Sequence, residues 1–204
     1  MKGLGVAFAA GLLLTGCAAD FTRNDQSDVI LRVAAIAGTS GGTGSGSGIG
    51  SVLLSDVSPI FNDNAEITLD VITKSPRTDQ VTSTYNAVEL SRYEIVYVRS
   101  DGRNVEGVDV PFRISGPLAL TIPPGGRGAV SIVVVRHAAK EEPPLKNLTG
   151  FFVAAPQKGA AIISSGENVI TVTAQITVYG STTSGRVVSA SGGLQISFAD
   201  FADQ

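Results

Sequence analysis

Cys17 and His137 are the only cysteine and the only histidine among the 204 residues, so thiol or imidazole chemistry would have to start from one of them. A cysteine nucleophile needs a base beside it, and no motif surrounds His137 to supply one. A zinc site needs several thiolate or imidazole ligands, and one of each falls short. His137 follows an apolar run and reads as a surface or capping residue at a strand end. The chain has no His-Glu-x-x-His pair. Eighteen acidic residues make some carboxylate pair inevitable, so their presence does not argue for hydrolysis. The expectation is a protein with no catalytic residues, no cofactor and no enzymatic activity.

Oxygen ligands are a separate question. The stretch FNDNAE offers Asn62, Asp63, Asn64 and Glu66, and SDGRNVEG offers Asp101, Asn104 and Glu106. Loop clusters of this kind hold calcium, with Asp63, Glu66 and Asp101 as the candidate ligands. Neither stretch matches Asp-x-[Asp/Asn]-x-[Asp/Asn]-Gly, and such clusters are ordinary turn formers. No metal is therefore expected, and calcium stays an alternative. The run GTSGGTGSGSGIG at 38–50 looks like a phosphate cradle. No Lys-Ser or Lys-Thr follows it, and no placement of Gly-x-Gly-x-x-Gly fits. It reads as a flexible surface loop. The sequon at Asn147 reads as chance. Of the adjacent Phe151 and Phe152, one is expected to cover the end of the core, and the other could mark a contact surface.

Cys17 has a better use at the start of the chain. Lys2 gives a positive n-region, and Leu4 to Leu14 is apolar over about the length of a signal-peptide core, too short to span a bilayer. Leu14, Thr15, Gly16 and Cys17 then resemble the lipobox of bacterial lipoproteins. The resemblance covers residues 1–17. It implies a signal peptide at 1–16, cleavage before Cys17, and a thiol carrying diacylglycerol, the palmitate-type anchor of that family. Two or three acyl chains hold a protein firmly, because each buried methylene contributes ~0.8 kcal/mol. The family's sorting rule reads the residue after the cysteine. Ala18 is not the aspartate of inner-membrane retention, so a cell envelope location at the outer membrane is implied.

The elements behind these residues read as strands. Residues 17–28 are polar apart from the anchor and form a tether; residues 29–204 form one domain. VILRVAAIAG at 29–38 has helix-compatible spacing, but Val29, Ile30, Val33 and Ile36 are β-branched and favour a strand. In AEITLDVIT, Ile67, Leu69 and Val71 alternate with polar residues, the period of a half-buried strand. Residues 87–102 alternate in two phases, and the slip near Ser91 predicts a β-bulge. VDVPFRI and GPLALTI read as short strands whose prolines suit sheet edges. AVSIVVV reads as buried, and AAKEEPPLKNLTG as the longest polar connection, with room for one helical turn. Ile170 to Val178 and Val188 to Phe198 predict a long hairpin with one apolar and one Ser/Thr face.

About nine short strands without helical crossovers predict an all-β, antiparallel β-sandwich. The pattern resembles immunoglobulin-like or fibronectin-type-III-like modules of bacterial envelope proteins, although the antibody-type Cys…Trp…Cys signature is absent. A net charge of −3 offers no basic footprint for nucleic acid. The functional expectation is a non-catalytic envelope lipoprotein, held to the membrane by its N-terminal lipid and acting as a structural module or on an envelope protein partner. The alternative is a calcium- or glycan-binding sandwich.

Overall fold

Period-two alternation sends every second side chain to the same face, and in this chain those faces close on one another. The computed structural model describes residues 27–41, 52–58, 61–74, 83–150, 152–153 and 168–201. They form an all-β fold of two sheets. In the smaller sheet, β1 (Val29–Thr39), β3 (Asp63–Thr73) and β6 (Arg127–Val135) lie in the order β1-β3-β6. In the larger, β2 (Val52–Asp56), β4 (Val88–Val98), β5 (Ile114–Ile122), β8 (Ile170–Thr182) and β9 (Val187–Phe201) lie in the order β2-β9-β8-β4-β5. The two-residue β7 (Phe152–Val153) pairs with β9. The leader, Cys17 and the tether up to residue 26 lie outside the described residues. So do residues 42–51, most of the glycine-rich run, and Phe151.

Between the sheets, Leu31, Ile67, Leu69 and Val71 meet Ile95, Ile176, Leu194, Ile196 and Phe198, all buried. Each such side chain contributes about 1.5–3 kcal/mol on leaving water. The β8–β9 hairpin runs in unbroken register from Ile170↔Phe198 to Ser181↔Val187. Its even-numbered residues point inward, as the alternation predicts. On the outer face Thr171 meets Ser197, and Thr177 meets Ser191, through hydroxyl hydrogen bonds of 3.2 and 3.0 Å. The slip near Ser91 is real. The register of β4 shifts between Leu90 and Arg92 against both neighbours, and the Ser91 hydroxyl donates to the Tyr179 carbonyl. Pro117 sits in β5, at the edge of its sheet, where its missing N–H interrupts no inner ladder.

Two expectations need correction. The strands are not all antiparallel: β2 and β7 both run parallel to β9. The chain leaves β1 in one sheet and enters β2 in the other, where β2 runs in the direction of β9. VDVPFRI is not a strand either. Only Val110 makes an isolated bridge, to Glu106, and β5 begins at Ile114. The Asp109 carboxylate accepts the Val105 N–H and folds the segment back on itself, and Pro111 has no N–H for a ladder.

Candidate functional site

The registers assign the connections to two poles. β5 joins β6 through Pro123–Gly126, and β8 joins β9 through Thr183–Arg186, both tight turns at one pole. Val29, the first residue of β1, is at that same pole, paired with Thr73. The connections that leave β1, β2, β4 and β6 all emerge at the opposite pole, and β9 ends there.

Asp63 is the hub of this loop-bearing pole. It opens β3 with its carboxylate fully buried, and four residues from three segments converge on it. The Ser55 hydroxyl on β2 donates to Oδ2 at 2.6 Å. Just past β1, the Gly41 N–H donates to Oδ1 at 3.0 Å and the Ser40 hydroxyl at 3.4 Å. A side chain at Gly41 would collide with the Asn62 carbonyl, so the position demands glycine for close approach. The fourth partner is Lys140, at the end of the single-turn helix α1 (His137–Lys140). Its Nζ lies 3.1 Å from Asp63 Oδ2, with side-chain exposures of 2% and 0%. Although that close, Nζ makes no hydrogen bond. Both sheets are tied here as well: the Tyr97 hydroxyl on β4 donates to the Val134 carbonyl on β6 at 2.6 Å. Burial pushes the Tyr97 phenol above its usual range, and the Asp63 carboxylate adds to the shift.

Around this base stand the loops. Asn62 accepts the His137 N–H at 2.8 Å and so caps α1; His137 itself is an exposed surface residue and supplies no cap. After α1 comes a 3₁₀ turn, Leu145–Leu148, which buries Leu145 and Leu148 and leaves Asn147 exposed. The Gly150 N–H then donates to Asp200 Oδ2 at 2.6 Å.

The 99–113 connection is held mainly by its own polar groups. Asp101 takes hydrogen bonds from Arg99 and Arg103; those from Arg99 do most to hold its carboxyl well below the usual range. The Val105 carbonyl accepts N–H groups from Val108, Asp109 and Val110, and Arg113 bonds Glu106 at 2.8 Å. Gly107 adopts φ 76, and a Cβ there would come within 2.5 Å of the Phe112 ring. This ordered loop displays Val105, Val108 and Phe112 at 60%, 67% and 53% exposure, and Phe61 in the β2–β3 connection is 52% exposed.

The three calcium candidates do not converge. Asp63 points into the core, Glu66 on the same strand points to solvent, and Asp101 is engaged by two arginines in another connection. Among the described residues no group of three His, Cys, Asp or Glu could hold a metal ion. Lys140 and Ser55 carried no sequence signal as partners of Asp63. Val108 and Phe112 read as strand residues because they keep the period of two. A second buried acid, Asp70, lies toward the short-turn pole between Arg32 and Arg127, at 2.6 and 2.7 Å.

No family model and no curated protein matches the chain. Among solved structures, the Northeast Structural Genomics Consortium target SoR45 is similar at 10% identity, with a TM-score of 0.36 over 82% of this chain and 84% of that one. The Pseudomonas fluorescens alkylpurine DNA glycosylase AlkC, bound to DNA containing an abasic site analog, is similar at 12% identity, with a TM-score of 0.32 over 84% of this chain and 31% of that one.

Proposed function

We propose that this protein is a non-catalytic lipoprotein of the bacterial cell envelope, an immunoglobulin-like β-sandwich that binds an envelope protein through its loop-bearing pole. The observation that carries the reading is the 99–113 loop. Its backbone and charges are satisfied internally, yet it holds Val105, Val108 and Phe112 out in water. Apolar side chains on a pre-ordered loop bind with little ordering cost, and aromatic anchors are enriched at protein interfaces. Polarity of the fold supports a protein over a lipid surface as the occupant. A Cys17 anchor leads through the tether to Val29 at the other pole, so the bilayer is approached by the short turns. The loop's six charges, Arg99, Asp101, Arg103, Glu106, Asp109 and Arg113, also cancel, and offer an anionic membrane no net attraction.

A photo-crosslinking residue placed at Val108 in cells should give a discrete protein adduct, and one at Thr183 in the opposite turn should not. Equal labelling from both poles, or lipid adducts alone from Val108, would count against the proposal.

A further inference from the structure

The contact between Lys140 and Asp63 is poorly explained as an ion pair. A buried ammonium is tolerated when its N–H groups are hydrogen-bonded, because desolvation otherwise outweighs the attraction. Here Nζ is 2% exposed, lies 3.1 Å from one carboxylate oxygen and makes no hydrogen bond. The carboxyl group, by contrast, is fully furnished with donors: Gly41 N–H and Ser40 on Oδ1, and Ser55 on Oδ2.

We infer that Lys140 and Asp63 condense into an intramolecular amide, a covalent bridge between α1 and β3. This inference is independent of the partner reading above. Transfer of one proton from Nζ to the carboxyl gives a neutral amine and a neutral acid, the form a dry interior accepts without two desolvated charges. The Nζ lone pair attacks Cγ and forms the C–N bond. The negative charge that develops on Oδ1 meets the Gly41 N–H, aimed at it from 3.0 Å, and the Ser40 hydroxyl. The Cγ–Oδ2 bond then breaks. Oδ2 leaves as water, carrying the acid proton and one proton from nitrogen, which the Ser55 hydroxyl at 2.6 Å is placed to relay. One amine and one carboxylic acid become one amide and one water, with no change of oxidation state. The product removes both charges from the interior, and its carbonyl keeps the donors on Oδ1. Proximity supplies what two separate side chains in water lack, since both groups are held in contact in a closed site.

Peptide mapping of the purified full-length chain under denaturing conditions tests this directly. Trypsin should leave Lys140 uncut and yield a branched peptide joining 33–74 to 137–146, lighter by one water than the sum of its parts. Lys140→Arg preserves the positive charge but cannot form this amide, and should give only linear peptides. Ser55→Ala should slow appearance of the branch in freshly refolded protein. Linear 33–74 together with cleavage after Lys140, from folded wild-type protein, would overturn the inference whatever the variants do.

Discussion

Replacing Ile176 by aspartate, with Thr177→Asp beside it, probes how the two faces of the β8–β9 hairpin differ. Ile176 is 1% exposed and is paired with Ile95 on β4 and Gly192 on β9. Loss of its burial removes about 1.5–3 kcal/mol. The new carboxyl has no donor waiting for it, and costs about 2 kcal/mol or more even after taking up a proton. The total is about 4 kcal/mol or more, close to the lower end of the roughly 5–15 kcal/mol that holds a native domain together. Thr177 points the other way. It shares a 3.0 Å hydroxyl hydrogen bond with Ser191 and stands opposite Glu94. Thr177→Asp loses one cross-strand pair and sets a carboxylate against Glu94, and such pairs are worth roughly 0.2–1 kcal/mol each, so the change stays below about 2 kcal/mol. In a chain of this size each kcal/mol moves Tm by about 2–4 °C. Calorimetric melting of both variants should therefore show a loss of less than about 8 °C for Thr177→Asp. Ile176→Asp should lose more than about 8 °C or show no cooperative transition. Equal shifts would refute the assignment of alternate residues to core and solvent.

Three further outcomes are expected. Hydrogen bonds from Arg127, then Arg32, lower the Asp70 carboxyl below the usual carboxylate range, to about 2. A folded-state value below the unfolded one contributes stability above the unfolded value, lost as pH falls through the folded one. Acid unfolding between about pH 4 and 2 should therefore be blunted in Asp70→Asn relative to wild type, and identical acid-unfolding curves would remove Asp70 from the account. Deleting residues 42–48 should leave the melting temperature nearly unchanged, because loop-closure entropy varies only as about (3/2)RT ln n. A deletion that also takes Gly41 should melt lower, since it removes the N–H on Asp63. Cys17→Ala should abolish incorporation of labelled palmitate; undiminished labelling would reject the anchor.

Strand positions were readable because a half-buried strand repeats its environment every two residues, as Ala65, Ile67 and Leu69 do against Glu66 and Thr68. The bulge at Ser91 was readable for the same reason, as a change of phase. The period does not reveal strand direction, so the parallel entry of β2 beside β9 went unseen: residues 40–51 carry no pattern that says which sheet follows. It also misled at 108–114. Val108, Val110 and Phe112 keep the period of two, but the Asp109 carboxylate binds the backbone at Val105 and Pro111 has no N–H for a ladder, and together these outweigh the pattern.

The loop-bearing pole was the least legible region, and for a physical reason. Its organisation rests on single contacts between segments far apart in the chain: Asp63 with Lys140, Ser55 and Gly41, and Asn62 with α1. A contact that occurs once has no period. Lys140 lies in a run of charged residues, AAKEE, whose composition suggests water on every side, yet it is among the most buried polar residues described. Asp63 drew notice as an oxygen ligand for a cation. The group that meets it is the chain's own Lys140 side chain, 3.1 Å from Oδ2 in a closed interior.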